Sequence, residues 1–556
     1  MLIKLQSGTV YDPTNGIDGQ VRDLYIRAGR IIEAPVSGDE KCTVYDLRGK
    51  VVMSGGIDIH THIGGGKVNI ARTLLPEFCR ENPSERHGLL RSGCSHATPT
   101  TLLTGYRYAE MGYTAAFEPA VLPINARQSH MEMADTLLLD TGGYAILGND
   151  DFLLRMLSDG ADQEAINDYV AWTLHATQCV GIKAVNPGGI NAFKFNQRKL
   201  DVDERNPYYE VTPRQIVQRL SRALHELGVP HPLHIHASNL GVPGNYRTTL
   251  ETMAAAEGLP LHITHVQFHS YGTEGDRGFS SAAAEIAEAV NRNQNISVDI
   301  GQIMFGQTVT ISADTMHQHA NHRHAHPRKW ICTDIECEAG CGVVPFRYRD
   351  QNFVNAMQWA IGLELFLMID DPWRVFLTTD HPNGAPFTSY PHLIRLLMDH
   401  SFREDQLQRI HPDVAAHSRL AGLRRDYSLY EIAIMTRSGP ARILGLQDRG
   451  HLAPGAWADI AVYDDLPDRE AMFGRPAYVF KDGELVVRHG EVCGLVPGRT
   501  HAVRPEFDRG IEKHLKSYFD RYHTVSLDNF KISADEMSGG IGSEVMPVAC
   551  GRRESK

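Results

Sequence analysis

The chain has 556 residues, 42% of them hydrophobic and 22% charged, an ordinary globular composition with length enough for a large core. Its 55 Lys and Arg against 67 Asp and Glu leave a net charge of -12, which argues against nucleic acid bound through phosphate neutralisation. Nine cysteines without a CxxC pair, a start (MLIKLQSGTV) lacking a signal-type apolar core, and no run approaching the roughly 18 apolar residues of a membrane span lead us to expect a cytoplasmic protein with reduced thiols and no membrane partner.

In chain order, residues 1–52 read as short strands broken by turns: MLIKLQSGTVYD, DLYIRAGRIIEAP and TVYDLRGKVVM. The same texture returns in residues 436–497, with GAWADIAVYDD, AYVFKDGELVVRHG and EVCGLV, so the two ends are expected to build one small β-sandwich. Between them, residues 53–435 carry apolar strand-like runs, most followed by helical stretches, the pattern of a parallel sheet wrapped by helices. Eight such runs, at 56–60, 113–118, 143–147, 181–185, 232–236, 262–266, 296–300 and 374–380, match the number a closed (β/α)8 barrel needs. The fold class is therefore α/β, a TIM-like barrel with a β-sandwich built from both chain ends. PRQIVQRLSRALHELG and SAAAEIAEAVNRN have clear helical periodicity. Long loops after the first, fourth and seventh runs fall on the face where barrel active sites form. Residues 498–556 read as a C-terminal extension of low order.

Six possible metal ligands stand at or just beyond five strand ends: His60 and His62 in IDIHTH, Lys183 in GIKAVNPGG, His236 in LHIHASN, His265 in ITHVQFHS, and Asp380 in FLTTDHPNG. Alternate residues of a strand share a face, so His60 and His62 can hold one ion together. A lone histidine in an apolar strand is more often a packed core residue, but six such residues in barrel order make that reading improbable. His234 and His262, deeper in their strands, suit buried supports. Asp380 precedes HPNGAPF, a turn that exposes it at the barrel mouth, the alternative being a helix cap before Pro382.

These segments resemble the amidohydrolase superfamily over most of the chain: DLRGKVVMSGGIDIHTH is similar to its first barrel strand and SGPARILGLQDRGHLAPGAWADIAVYD to its exit into the β-sandwich. Ser54 departs from the proline many relatives carry. The resemblance implies a binuclear zinc centre in which His60 and His62 bind the first ion, and His236 and His265 the second. Lys183 bridges them as an N-carboxylated lysine, and Asp380 ligates the first ion and shuttles a proton. A free ammonium has no lone pair for a metal, so Lys183 serves only after reacting with carbon dioxide; Glu118 is the next candidate bridge.

Finer strings, GGGKVNIAR, KAVNPGGINAF, HASNLGVPGNY, THVQFHSYG and TTDHPNGAPF, resemble the amidohydrolase-type component of formylmethanofuran dehydrogenases and its counterpart in the bacterial formyltransferase/hydrolase complex. That resemblance implies hydrolysis of the N-formyl group of formylmethanofuran or an analogue to formate and the free amine, or the reverse condensation, within a multi-subunit assembly. Lys67 and Arg72, after the first ligand pair, are candidates to meet the acidic tail of such a methanofuran-type cofactor. The alternatives are a cyclic-amide hydrolase of the dihydroorotase or hydantoinase type and a catalytically silent scaffold protein. Cys332, Cys337 and Cys341 match neither common ferredoxin spacing, so redox chemistry belongs to other polypeptides. The histidines of HQHANHRHAHPRKW, His317 to His326, read as a solvated loop with adventitious metal affinity.

Overall fold

In a computed structural model, all residues are described except 36–40, 84–87, 90–95, 194–196, 198, 313–318, 336–337 and 552–556. Eight parallel strands follow one another around a ring: Gly56–Asp58, Tyr113–Val121, Asp140–Leu147, Gly181–Val185, Leu233–His236, Leu261–Ile263, Ile296–Asp299 and Val375–Phe376. First and eighth strands meet just beyond their ends, where Thr61 bridges His381, the His62 amide donates to the His381 carbonyl at 2.8 Å, and the Thr378 hydroxyl donates to the His60 carbonyl at 2.7 Å. All eight expected runs are therefore barrel strands.

Local sequence explains the tight places. A Cβ on Gly55 would lie 2.1 Å from the Thr114 hydroxyl, and one on Gly56 2.6 Å from the Tyr113 ring, so the first strand can approach the second only as Gly-Gly. The helix after the fourth strand, Pro213–Glu226, starts at a Thr212/Gln215 capping box with proline at its first turn, and buries Ile216, Val217, Leu220 and Leu224 against the barrel. Helix Ala283–Arg292 likewise buries Ile286 and Val290.

The two chain ends join in one continuous nine-stranded mixed sheet, where Ile460–Asp464 runs antiparallel to Lys50–Ser54, which in turn lies beside Leu2–Asp12. Its own core comprises Leu5, Val10, Ile26, Val52, Ile460 and Phe480 among others. The tail corrects the expectation of low order. Thr500–Val503 adds in parallel to the third barrel strand, Val545–Val548 adds to Thr500–Val503, and helix Ile511–Tyr522 buries Leu515, Tyr518 and Phe519. Among the described residues no helix is long and apolar enough to cross a membrane.

Sheet and barrel are locked by buried charge. The Arg449 guanidinium reaches Asp140 at 2.7 Å and also pairs with Asp459, while Lys481 lies 3.0 Å from Asp140 and 3.2 Å from Asp459. Asp140 begins a barrel strand and Asp459 precedes a strand of the terminal sheet, so the two cations hold carboxylates from both units away from water. Breaking a buried network leaves uncompensated charge, typically at a cost of about 3–5 kcal/mol. Arg449→Met is expected to lower the stability of the chain by about that amount, read as a fall in the thermal unfolding midpoint against the parent protein; an unchanged midpoint contradicts the clamp.

Candidate metal centre

The six residues singled out in the sequence come together at the C-terminal mouth of the barrel. The Nε2 of His60 lies 3.0 Å and that of His62 3.5 Å from the same Asp380 oxygen, so three donors from the first and eighth strand ends face one point. The rings of His236 and His265 stand 4.6 Å apart, nearly perpendicular, and His265 is 5.4 Å from His60. Lys183, His62, His236, His265 and Asp380 all line one cavity of about 520 Å³.

The ring orientation of His60 and His62 is set by what each Nδ1 touches. His62 Nδ1 lies 2.8 Å from Glu118, whose other oxygen accepts the backbone N–H groups of Ile63 and Gly64 at 2.7 and 3.1 Å. Glu118 is thus fully engaged in holding His62 and the turn after it, which removes it as a bridge. His60 Nδ1 faces His234 Nε2 at 2.9 Å and Asp299 at 3.2 Å, with the Thr264 hydroxyl alongside. His262 bridges Ser297 and the same Asp299. His234 and His262 therefore lie behind the rings at the barrel mouth, within hydrogen-bonding reach of His60 and Asp299, an arrangement of the kind that fixes tautomer and direction in metal sites. The other Asp299 oxygen accepts from the His265 amide at 2.7 Å, so one carboxylate serves both halves of the site.

Four strained backbone positions lie at the same rim. His265 (φ 34°), Asp380 (φ 49°), Asn186 (φ 43°) and Asn239 (φ 61°) all adopt the left-handed region just after barrel strands. Gly301 lets the seventh strand's exit pass close by, since a Cβ there would lie 2.4 Å from that of His265. Asp380 is steadied by Asn383, which donates to its carboxylate at 3.1 Å, and by the Thr378 hydroxyl, which accepts from its amide at 3.0 Å.

Electrostatics suits cation binding. Burial pushes His265 down to about 3 and His236 well below the ordinary imidazole value, leaving both neutral with free lone pairs. For His60, burial and Lys183 pull downward, but Asp299 and Asp380 prevail and hold it above the usual value. Asp380 is buried, yet His265 and His60 keep it well below the usual carboxylate range. Burial lowers Lys183 to about 8 against the pull of Asp380, Asp299 and Glu118. The neutral imidazoles of His236 and His265, a committed anion and a buried amine converging on one cavity are a donor set that fits a borderline divalent ion.

Other expected residues divide. Lys67 lines the cavity, joined by Lys199, which carried no motif. Arg72 turns the other way: it donates to the Pro99 and Ile63 carbonyls and to Asn69, and lies 3.7 Å from Glu132. Arg72 was expected to meet a ligand; in the structure it is not among the residues lining the cavity, and these loop groups take its donors. In the histidine run, His319, His322 and His324 are exposed; His317 lies outside the described residues, as does Cys337. Sequence reading missed Asp299, a single acid in an apolar strand, and His269, four residues after His265.

The family model for the amidohydrolase family matches residues 43–492. The chain is 44% identical over 538 residues to the A subunit of the formyltransferase/hydrolase complex Fhc of Methylorubrum extorquens, covering 96% of both chains. It is 41% identical over 552 residues to protein FwdA of Methanocaldococcus jannaschii, covering 95% of this chain and 96% of that one. Among solved structures, it superimposes with a TM-score of 0.92 and 42% identity on a chain of the formyltransferase/hydrolase complex FhcABCD from Methylorubrum extorquens in complex with methylofuran, covering 99% of this chain and 100% of that one.

Glu118→Gln tests the support geometry. The amide keeps the size but no longer matches both the His62 N–H and the two backbone donors, and loss of such a partner typically weakens metal binding about 10–100-fold. Equilibrium metal affinity, measured beside a thermal melt that stays near the parent's, is expected to fall in that range; parent-like affinity contradicts it.

Proposed function

The chain belongs to the amidohydrolase family and is a metal-dependent hydrolase, and on that premise we propose that it cleaves the N-formyl group of formylmethanofuran, or of a methanofuran analogue, to formate and the free amine. The observation that carries this reading is the convergence of His60, His62, Lys183, His236, His265 and Asp380 at one barrel mouth in a chain 44% identical, over nearly its whole length, to a component of a formyltransferase/hydrolase complex. His60, His62 and Asp380 would hold a first zinc ion and His236 and His265 a second, with Lys183 between them as an N-carboxylated bridge. Its lowered pKa supports that modification, since only the neutral amine attacks carbon dioxide, forming the carbamate and releasing a proton. Bound ions would acidify the attacking water and polarise the formyl carbonyl.

The protein's own groups do the rest. Asp380, anionic and held by Asn383, accepts a proton from the attacking water and delivers it to the leaving nitrogen, so that R–NH–CHO and water become R–NH2 and formic acid, which ionise to the ammonium and formate. Asp299 and Glu118 keep the imidazoles aimed while charge moves. Lys67 and Lys199 give the cavity wall a positive side that complements an acidic cofactor tail. Run backwards, the same groups condense formate with the amine. The likeness to members of such assemblies supports other subunits of a formyltransferase/hydrolase or formylmethanofuran dehydrogenase complex as partners.

Asp380→Asn separates proton transfer from ligation, because it keeps the size and one oxygen. In the assembled complex, formate release from the formylated cofactor is expected to fall ~10²–10⁴-fold while metal content stays near the parent's. A loss only in proportion to lost metal assigns the shuttle elsewhere, and turnover of cyclic amides in place of the formylated cofactor overturns the substrate. Lys183→Ala is expected to be inactive, with partial recovery on adding short carboxylic acids; full activity without additives refutes the bridge.

A further inference from the structure

His269 closes the short turn Val266–His269 that leaves the sixth barrel strand. It is wholly buried, and neither of its ring nitrogens has a hydrogen-bond partner. Buried polar atoms are rarely left so, and an unmet one calls for an explanation such as an ion. Four other buried histidines of the barrel interior supply the contrast: His60, His231, His234 and His262 each place at least one ring nitrogen within 3.0 Å of a partner, whereas the Nδ1 of His265, beside His269, is likewise unmet.

The surroundings of His269 point in one direction. Its ring lies 5.1 Å from that of His236 and 5.3 Å from that of His265, the latter nearly parallel at 23°. One ring nitrogen of each of His236, His265 and His269 lies within 4.8 Å of the other two, a compact group of three donors distinct from the His60, His62 and Asp380 group. His269 is not among the residues lining the substrate cavity, so it stands behind the pair and not where a substrate would touch it.

We propose that His269 is a third imidazole ligand of the second ion, completing a His236–His265–His269 set opposite His60, His62 and Asp380. The inference rests on the two-ion reading given above. Three neutral imidazoles select a borderline divalent ion such as zinc over magnesium or calcium, which prefer oxygen donors. Two of the three come from a single turn, so the second ion would fasten the exit of the sixth strand to the end of the fifth.

The test uses the assembled protein carrying His269→Ala or His269→Gln, with zinc as the probe. Ions per chain are counted by elemental analysis across a chelator titration. The parent is expected to hold two; both variants are expected to keep one ion at parent affinity and to bind the other at least about tenfold more weakly. The retained ion reports an intact barrel. Parent-like affinity for both ions in the variants overturns the inference and leaves the two-ion reading standing, whatever happens to activity. Loss of both ions in both variants also contradicts it, because the first ion keeps His60, His62, Asp380 and the shared Lys183. A parent that holds a single ion overturns the two-ion reading and this inference with it.

Discussion

A single carboxylate, Asp299, organises the centre. Buried at the end of the seventh strand, it accepts from the ring of His262 at 3.0 Å, faces His60 Nδ1 at 3.2 Å, and takes the His265 amide at 2.7 Å. A desolvated anion persists only when its oxygens are met, and those partners hold Asp299 well below the usual carboxylate range despite its burial. Meeting that demand turns His60 so that its Nε2 faces Asp380, and pins the backbone where His265 takes its strained conformation. Glu118 does the same for His62 from the opposite side. The ring nitrogens at the barrel mouth are thus aimed by the fold itself, and the reorganisation that binding an ion there would demand is small.

That geometry depends on strand register. His262 pairs with Ser297 and His234 with Lys183 across neighbouring strands, so the supporting histidines and the candidate bridge lie in adjoining rows of one barrel interior. A slip of one residue in any strand would turn a ligand outward. Beneath this layer, Tyr144 stacks on both His231 and His234 at 4.6 Å and donates to the Ile59 carbonyl, filling the barrel with aromatic surface that excludes water from the supports. Above it the cavity opens with Lys67 and Lys199 on its wall, a positive spot in a chain whose net charge is -12.

What the sequence made legible follows from the range of each signal. His60 and His62 announce themselves by alternate spacing, and His236, His265 and Asp380 by standing where apolar runs stop; these are local patterns. Asp299 has no local pattern, because SVDI reads as an ordinary strand end and its importance arises only from pairing with residues 34 and more positions away. The order of the tail was hidden for the same reason: Thr500 pairs with Thr141, a contact no window of sequence contains. Arg72 and Lys199 show the limit of reading charge by neighbourhood, since the arginine near the ligand pair faces loop carbonyls and the lysine far from it in sequence lines the cavity. His269 stands four residues after His265 on the turn beyond a strand end, where neither strand alternation nor the end of an apolar run marks it.

A two-ion centre at these strand ends, bridged through Lys183, is tested most directly by anomalous diffraction at the zinc edge from crystals of natively prepared protein. Two peaks are expected, one among His60, His62 and Asp380 and one beside His236 and His265, with continuous density running from the Lys183 amine to both. A lone peak, peaks only on the exposed His322 and His324, or a bare Lys183 amine between two ions would contradict it.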